Sequence, residues 1–420
     1  MIGDFFSLFH NEVFIRAFDI FLSSWPVWVP LLLINISFGL WLDYIRRLWV
    51  SKQGSILLEI KLPKEVAKSP AAMELVLQGI WENANISTPA DAFWEGKLRE
   101  WFALEIVSLG GEVKFFIWAF PRWKKIIESR IYGQYPGAEI FEVKDYAQDL
   151  RYDTEKFNFW GVNTALVKAD AYPIKTYVEY ELDKKTGDEQ EEIVDPITPV
   201  IEYLGTLKPG EFAAVQIMIR AHAKENYLYG RFSTKPDWQA GIKKEIEKMI
   251  TEEMLVKPPV SPVGDKSPSL SFLNLTKSQT ETIAAIQRNA GKLAFDTMIR
   301  LLYIAPTDQF EKTRGMGIIG SMRQFGSSNL NGIKPTFFSF THSWQDWNEI
   351  RKRRRMSDFI NAYKRRAYFG TMHYHLFGKP YILTTEELAT IFHLPGSVAT
   401  TPTLSRAPSK KAEAPANLPV

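Results

Sequence analysis

The sequence predicts an α+β protein in which an N-terminal transmembrane helix precedes a ferredoxin-like (βαββαβ) body that is duplicated or resembles a duplication. Two patterns lead to this fold class. An uncharged apolar run occupies residues 20–42, and segments with strand-like and helix-like patterns alternate from residue 55 onward. The 420 residues suffice for two or three compact units, and 14% aromatic residues argue against a disordered chain.

The run from Ile20 to Leu42 is bracketed by Asp19 and Asp43. As a helix it would extend about 35 Å, enough to cross the roughly 30 Å hydrocarbon core of a bilayer. A buried core helix would need a similarly apolar partner segment, and no such segment follows. A cleaved signal peptide would need a shorter apolar stretch and a small-residue cleavage site. We therefore predict a transmembrane helix over residues 20–44.

Interfacial residues flank both ends of this helix, since Trp and Tyr favour the headgroup level. The predicted membrane-interface set is Trp25, Trp28, Trp41, Tyr44, Arg46, Arg47 and Trp49. More basic residues lie after the span than before it: Arg46, Arg47 and Lys52 follow it, and only Arg16 precedes it. The positive-inside rule then predicts a single-pass protein of the inner (cytoplasmic) membrane, with its amino terminus outside and its body in the cytoplasm. Residues 1–19 are either an interfacial amphipathic helix or an outward extension of the span.

The first α+β unit is predicted at residues 53–150. Its elements are a strand at 55–62, a helix at 71–81, two strands within 101–120 that turn at Gly110–Gly111, a helix at 121–133 and a strand at 138–146. This is the βαββαβ order of a ferredoxin-like sheet.

A second unit is predicted at residues 151–395. It has a strand at 211–221, helices at 237–254 and 278–288, a strand at 292–305 and a helix at 309–325. A Pro/Ser-rich loop at 256–271 separates the first two helices, and the acidic stretch 187–195 is a candidate solvent loop. The partial agreement with the first unit reflects either a degenerate duplication or a chance similarity of pattern.

The sequence offers little to support an enzyme. It contains no P-loop, no G-x-S-x-G elbow and no cysteine. The glycine-rich Gly315–Gly326 segment lies inside a predicted helix, where it is poorly placed for a dinucleotide. His373 and His375 alternate as strand residues do, without a third ligand nearby. We expect no catalytic residue, no cofactor and no metal.

One local cluster of basic residues stands out, although the whole chain carries a formal net charge of only +3. A predicted basic helix at 343–366 carries Arg351, Lys352, Arg353, Arg354, Arg355, Lys364, Arg365 and Arg366. Met356, Phe359, Ile360 and Tyr363 recur at helical spacing and predict an apolar face that packs on the body. The cations are candidates for contact with nucleic-acid phosphates or anionic lipid, and the alternative is a solvated or partner-paired face.

Several segments together resemble a known family: "LLEIKLPKE", "GEVKFFIWAFPRWKKIIESRIYGQYPG", "GSMRQFGSSNLNGIKP", the basic helix, and "TTEELATIFHLP" followed by "SKKAEAPANLP". They resemble the uncharacterised membrane-anchored region that precedes the motor domain of bacterial FtsK/HerA-like, type IV secretion-type (conjugation-type) ATPases. In that family Asn-Leu-Pro, here Asn417, Leu418 and Pro419, comes just before the ATPase. The resemblance implies that the Pro/Ala-rich segment 396–420 is a connector to a P-loop ATPase that is encoded separately or missing from this chain.

Two functions are consistent with these features. The first is a non-enzymatic membrane adaptor or scaffold of a type IV secretion or DNA-transfer-like apparatus, which positions the partner ATPase. The second is a membrane-tethered nucleic-acid-binding module that acts through residues 351–366. The membrane is an expected partner in both, and a second copy of the chain is a further candidate.

Overall fold

The computed structural model describes residues 12–61, 68–82, 88–150, 156–183, 195–223, 238–256, 276–338, 346, 349–369 and 379–395. Its helices are α1 (Glu12–Ser23), α2 (Trp25–Gln53), α3 (Ala71–Ile80), α4 (Pro89–Phe93), α5 (Lys124–Gln134), α6 (Tyr146–Asp149), α7 (Thr198–Gly205), α8 (Trp238–Val256), α9 (Lys277–Ala290), α10 (Lys312–Ser321), α11 (Ile350–Lys364) and α12 (Thr385–Ile391). Its strands are β1 (Ile56–Lys61), β2 (Phe102–Leu109), β3 (Glu112–Ala119), β4 (Glu139–Val143), β5 (Phe157–Leu166), β6 (Phe212–Ala221), β7 (Ala294–Pro306), β8 (Ile333–Phe338) and β9 (Tyr381–Thr384).

All nine of these strands belong to one antiparallel sheet. Eight lie in the order β4-β1-β3-β2-β6-β7-β5-β8, and β9 pairs with β7 beside this row. The two halves of the chain meet where β2 pairs with β6, in a register that sets Glu105 opposite Gln216. The α+β class predicted from the sequence is therefore confirmed, as one continuous sheet.

The elements predicted for residues 53–150 are all present, most of them within one or two residues of their expected bounds. Helix α5 begins three residues later than predicted, after a short 3-10 turn at Pro121–Trp123, and β4 ends three residues earlier, at Val143. Gly110 and Gly111 form the β2–β3 turn with φ of +61° and +95°, a region that favours glycine. In the second half, the predicted strands and helices between residues 211 and 325 are present as β6, α8, α9, β7 and α10. The structure adds β5, β8 and β9, which the sequence patterns did not predict.

Helices cover both faces of the sheet. On one face, α10 lies against β5, where Gly315 stands over the Trp160 ring, and α7 accepts a hydrogen bond from Ser108 of β2 through the Leu204 carbonyl oxygen. On the other face, the Phe359 ring of α11 lies against Gly161. The apolar core runs through both layers and includes side chains from every strand from β1 to β9 except β4 and β8, which border it.

The predicted transmembrane segment is divided between two helices. Ser24 separates α1 from α2, since Pro26 lacks a backbone N–H and disfavours a helix that continues through the preceding turn. The Phe21 and Trp28 rings stack across this break at 4.8 Å. Helix α2 is long and apolar enough to cross a membrane, and only 6% of its most apolar stretch is buried.

Candidate functional site

The carboxyl-terminal part of α2 is built into the body, although its first part is exposed. Ile34 is 64% exposed, whereas Leu42, Ile45 and Arg46 are buried. The helix continues to Gln53 without a described break, beyond the predicted end at residue 44. The apolar segment and the body are therefore joined by one helix, and not by a loose tether.

The loop 88–97, which contains α4, holds this helix. The Trp41 indole N–H donates to the Phe93 carbonyl oxygen at 3.0 Å, and the Trp41 and Trp94 rings lie 5.8 Å apart. Gly96 packs so closely on α2 that a Cβ there would come within 2.7 Å of the Ile45 carbonyl carbon. Trp94 is nevertheless 76% exposed at the level of Trp41. The sequence patterns did not predict Trp94 as an interfacial residue. The feature that could have identified it is a single tryptophan in a short polar loop.

The predicted interfacial residues occupy different environments. Trp25, Trp41 and Tyr44 are exposed, as a headgroup contact requires. Arg47 is also exposed and pairs with Asp43 at 2.6 Å. The remaining three are partly or wholly covered by protein: Trp28 stacks on Phe21, Arg46 is buried, and Trp49 lies 6.1 Å from the Phe120 ring.

The basic helix α11 has the apolar face that its sequence predicts. Met356, Phe359, Ile360 and Tyr363 are all buried against the sheet. Arg351, Arg353, Arg354 and Arg355 are exposed, whereas Lys352 is half-buried and pairs with Glu349 at 3.0 Å. The described helix begins at Ile350, and the positions 343–345 of the longer predicted helix lie outside the described residues.

The eight predicted cations do not form a single surface. Arg351, Arg353, Arg354 and Arg355 make an exposed group, which we name the outer arginines. Lys364 and Arg365 lie about 16 Å farther along the helix, at its carboxyl end. There they line the same cavity as Arg46 and Arg47 of α2.

Arg366 corrects the prediction of a phosphate or lipid contact, because it is fully buried. Its guanidinium binds both carboxylate oxygens of Glu105 at 3.0 and 3.1 Å and one oxygen of Asp145 at 2.5 Å. Burial by itself disfavours the charge, but the Glu105 and Asp145 carboxylates hold the pKa of Arg366 well above its ordinary value. This arginine is a structural ion-pair partner.

Arg366 joins a buried polar row beneath α11, formed by Glu105, Gln216, Arg300 and Asn163 on the adjacent strands β2, β6, β7 and β5. Hydrogen bonds of 2.7, 2.9 and 3.2 Å connect these four side chains in that order. Burial lowers the pKa of Arg300 to about 10, so it remains cationic at neutral pH. All four side chains are fully buried.

A second buried network surrounds α12, the helix of the "TTEELATIFHLP" segment. Glu387 accepts hydrogen bonds from the backbone N–H groups of Ile174 and Thr384 at 2.9 and 2.8 Å. Glu386 and Glu74 are also buried, and Lys292 approaches both carboxylates, at 3.5 and 2.7 Å. Every residue of α12 is buried, so this segment is part of the body's core.

Some predicted features lie outside the described residues. They are His373 and His375, the loop 257–271, and the connector 396–420 with Asn417, Leu418 and Pro419. Within the described ranges, no group of three His, Asp or Glu side chains is arranged to hold a metal ion.

Comparison with known proteins identifies a family to which most of the chain is similar. None of the curated proteins matches the chain. The family model described as a domain of unknown function, DUF8128, matches residues 50–407, from the body-docked end of α2 to beyond α12. Since this range covers most of the 420 residues, the chain belongs to the DUF8128 family.

Proposed function

We propose that the protein is a non-enzymatic, single-span membrane adaptor. It would hold its body at the cytoplasmic face of the inner membrane and position a partner ATPase of the FtsK/HerA-like, type IV secretion type. The observation that carries the proposal is the continuity of α2. One helix passes from the exposed apolar segment to side chains buried in the body, such as Leu42 and Ile45. A body fixed in this way has a defined orientation at the bilayer surface.

The end of the body supports the same proposal. The His393 ring is fully buried, with Nδ1 at 2.9 Å from the Ala389 carbonyl oxygen and Nε2 at 2.9 Å from an Asp195 carboxylate oxygen. The predicted connector 396–420 follows this fixed segment almost directly. A partner bound to the connector would therefore start from a fixed point relative to the membrane.

The strand order also supports the proposal that the body is a duplicated βαββαβ unit. The first unit has the order β4-β1-β3-β2, and β8-β5-β7-β6 repeats this order in the second half. Helices α3 and α5 in the first unit then correspond to α7 and α10 in the second. Helices α8 and α9 are an insertion between β6 and β7. In this alignment the first strand of the second unit is β5. The sequence pattern instead began the second unit at the strand 211–221, which is β6.

Site-specific photocrosslinking in cells tests the adaptor function. A photoreactive amino acid replaces Asn417 in the connector, and Tyr132, which is 44% exposed on α5, provides a matched control position. We expect a P-loop ATPase to be crosslinked from position 417 and not from position 132. Equal crosslinking at both positions, or none to a nucleotide-binding protein, would contradict the proposal. ATP hydrolysis by the purified chain would contradict its non-enzymatic character.

The outer arginines favour a second candidate function, the binding of nucleic acid. Their four side chains are exposed within five positions, little more than one turn, of a helix whose apolar face is buried against the sheet. If they contact duplex phosphates, replacing Arg353, Arg354 and Arg355 by Gln should reduce the logarithmic salt slope of binding by about 2.7, or 0.9 for each lost contact. The control replaces Lys243 and Lys244, which are exposed on α8, by Gln and should leave the salt slope unchanged. An unchanged slope in the triple variant would exclude this function for α11.

A further inference from the structure

A cavity of about 590 Å³ lies where α2 joins the body. Its apolar walls are formed by Val50 of α2, by Leu98, and by the Trp101 and Trp118 rings, which lie 6.0 Å apart. Its charged lining residues are Arg46, Arg47, Asp145, Lys364 and Arg365. The cavity thus brings together residues that are more than 300 positions apart in the sequence.

The charge of this cavity is strongly unbalanced. Arg46, Arg47, Lys364 and Arg365 contribute four cations to its lining, and Asp145 is the lining carboxylate. Asp145 is already engaged, because it accepts a hydrogen bond from the buried Arg366 at 2.5 Å. Asp43 pairs with Arg47 from outside the lining. The lining itself therefore holds three more basic than acidic side chains. A cavity with apolar walls and cationic edges suits an amphiphilic anion.

The position of the cavity relative to the apolar helix points to the source of that anion. Trp41 and Tyr44, 41% and 60% exposed, mark the end of the lipid-facing part of α2. Arg46 and Arg47 follow Tyr44 within one helical turn, at about 1.5 Å per residue. The cations therefore lie at the depth of lipid headgroups when α2 spans a bilayer.

We propose that this cavity binds the phosphodiester headgroup of an anionic glycerophospholipid. The inference rests on the membrane anchoring in the proposed function and is independent of the ATPase partner. Arg46 and Arg47 each carry a planar guanidinium group, whose N–H geometry matches phosphate oxygens. Lys364 and Arg365 meet the same group from α11, while Val50, Leu98 and the two tryptophans contact the glycerol and the first methylene groups. A bound lipid would tie α11 to α2 through its phosphate.

Lipid binding to the detergent-solubilised full-length chain tests this proposal. The probes are dioleoyl phosphatidylglycerol, dioleoyl phosphatidylcholine and inorganic phosphate, with affinities measured by saturation of bound lipid and by the shift in thermal unfolding temperature. The Lys364→Gln/Arg365→Gln variant removes two cavity cations. The Arg353→Gln/Arg354→Gln variant is the matched control, because it removes equal charge from exposed positions on the same helix.

We expect saturable binding of phosphatidylglycerol and little binding of phosphatidylcholine or inorganic phosphate. The cavity variant should bind phosphatidylglycerol roughly 30-fold more weakly, as the loss of two cations near a lipid surface implies. The control variant should bind within about 2-fold of the unaltered chain. Three results would each overturn the proposed lipid site. They are equal affinity for the two lipids, an equal loss of phosphatidylglycerol affinity in the two variants, and binding of inorganic phosphate as tight as that of phosphatidylglycerol. None of these outcomes depends on the connector or the crosslinking result.

Discussion

At the scale of single residues, Arg366 shows how local backbone geometry changes the role of a charge. Helix α11 ends at Lys364, and Arg366 has a left-handed φ of +47°. The chain therefore turns inward after Arg365, and the Arg366 guanidinium reaches Glu105 beneath the helix. Taking two such charges out of water is costly unless each is paired and hydrogen-bonded.

Removing one partner of this pair should be strongly destabilising. We expect Arg366→Ala to lower the free energy of unfolding by about 3–5 kcal/mol, because Glu105 would remain buried without its main counter-charge. Denaturant unfolding of the detergent-solubilised chain measures this. The substitution Arg365→Ala, at an exposed neighbouring position, should change the free energy of unfolding by less than about 0.5 kcal/mol. Equal effects of the two substitutions would refute the structural role of Arg366.

Gly96 is the residue at which the loop 88–97 meets the anchor helix. Its φ is +66°, and an added Cβ would come within 2.7 Å of the Ile45 carbonyl carbon. We expect Gly96→Ala to cost about 2 kcal/mol or more, since both the backbone conformation and the contact with α2 resist a side chain. Protease cleavage within the loop should accelerate as a result.

Gly133 provides the matched control for Gly96. It lies in α5 with open space around its Cβ position, so Gly133→Ala should be neutral or stabilising by up to about 1 kcal/mol. If both alanine variants unfold alike, the loop does not hold α2 as the geometry indicates.

At the scale of elements, the buried helix α12 begins with a capping box. The Thr384 side chain and Glu387 satisfy each other's backbone N–H groups at the start of the helix. Burial raises the pKa of Glu387 from its ordinary value of 4.5 to about 7, and the hydrogen bonds from Thr384 and Ile174 oppose this shift only in part. Glu387 therefore loses its proton at a higher pH in the folded chain than in the unfolded chain.

This difference makes the stability depend on pH. Between about pH 4.5 and 7 the unfolded chain has released the proton that the folded chain still holds, so stability falls as pH rises through this window. The total loss is about 3 kcal/mol. We expect Glu387→Gln to flatten this decline in unfolding curves recorded from pH 4 to 8. Glu281→Gln, at an exposed position of α9, should leave it in place, and the same slope in both variants would contradict the assignment.

The elements also show what a sequence pattern can predict. The apolar face of α11 was predictable because Met356, Phe359, Ile360 and Tyr363 follow helical periodicity. The burial of Arg366 was not, since it depends on where the helix ends. Strand β5 was missed because Gly161 and Asn163 interrupt its apolar pattern. The fold explains both residues: Gly161 makes room for the Phe359 ring, and Asn163 accepts a hydrogen bond from Arg300.

At the scale of the whole molecule, the pairing of β2 with β6 joins the two halves into one sheet. The apolar patterns of β2 and β6 predicted that each is a strand. They could not predict that the two strands pair, because neither pattern identifies a partner strand that is distant in the sequence. The cavity has the same origin. Arg46 and Lys364 lie on separate helices and share its lining only after the sheet has brought α2 and α11 together.

Membrane orientation is the remaining property of the whole molecule that can be tested directly. The chain has no cysteine, so a single introduced thiol reports its own position without background. Asp19 of α1 and Arg353 of α11 are both exposed. Asp19 precedes the apolar part of α2 in the sequence, and Arg353 belongs to the body that follows it. Positive charge after the span predicts the body on the cytoplasmic side.

We therefore expect a membrane-impermeant maleimide to label Asp19→Cys in intact spheroplasts and Arg353→Cys in inverted membrane vesicles. Detergent should equalise the labelling of the two variants, which controls for the intrinsic reactivity of each thiol. The reverse pattern would place the body outside. Labelling of both thiols in intact spheroplasts, together with release of the chain by carbonate, would show that α2 does not span the membrane. In that case the exposed apolar surface of α2 would require a protein partner instead of lipid.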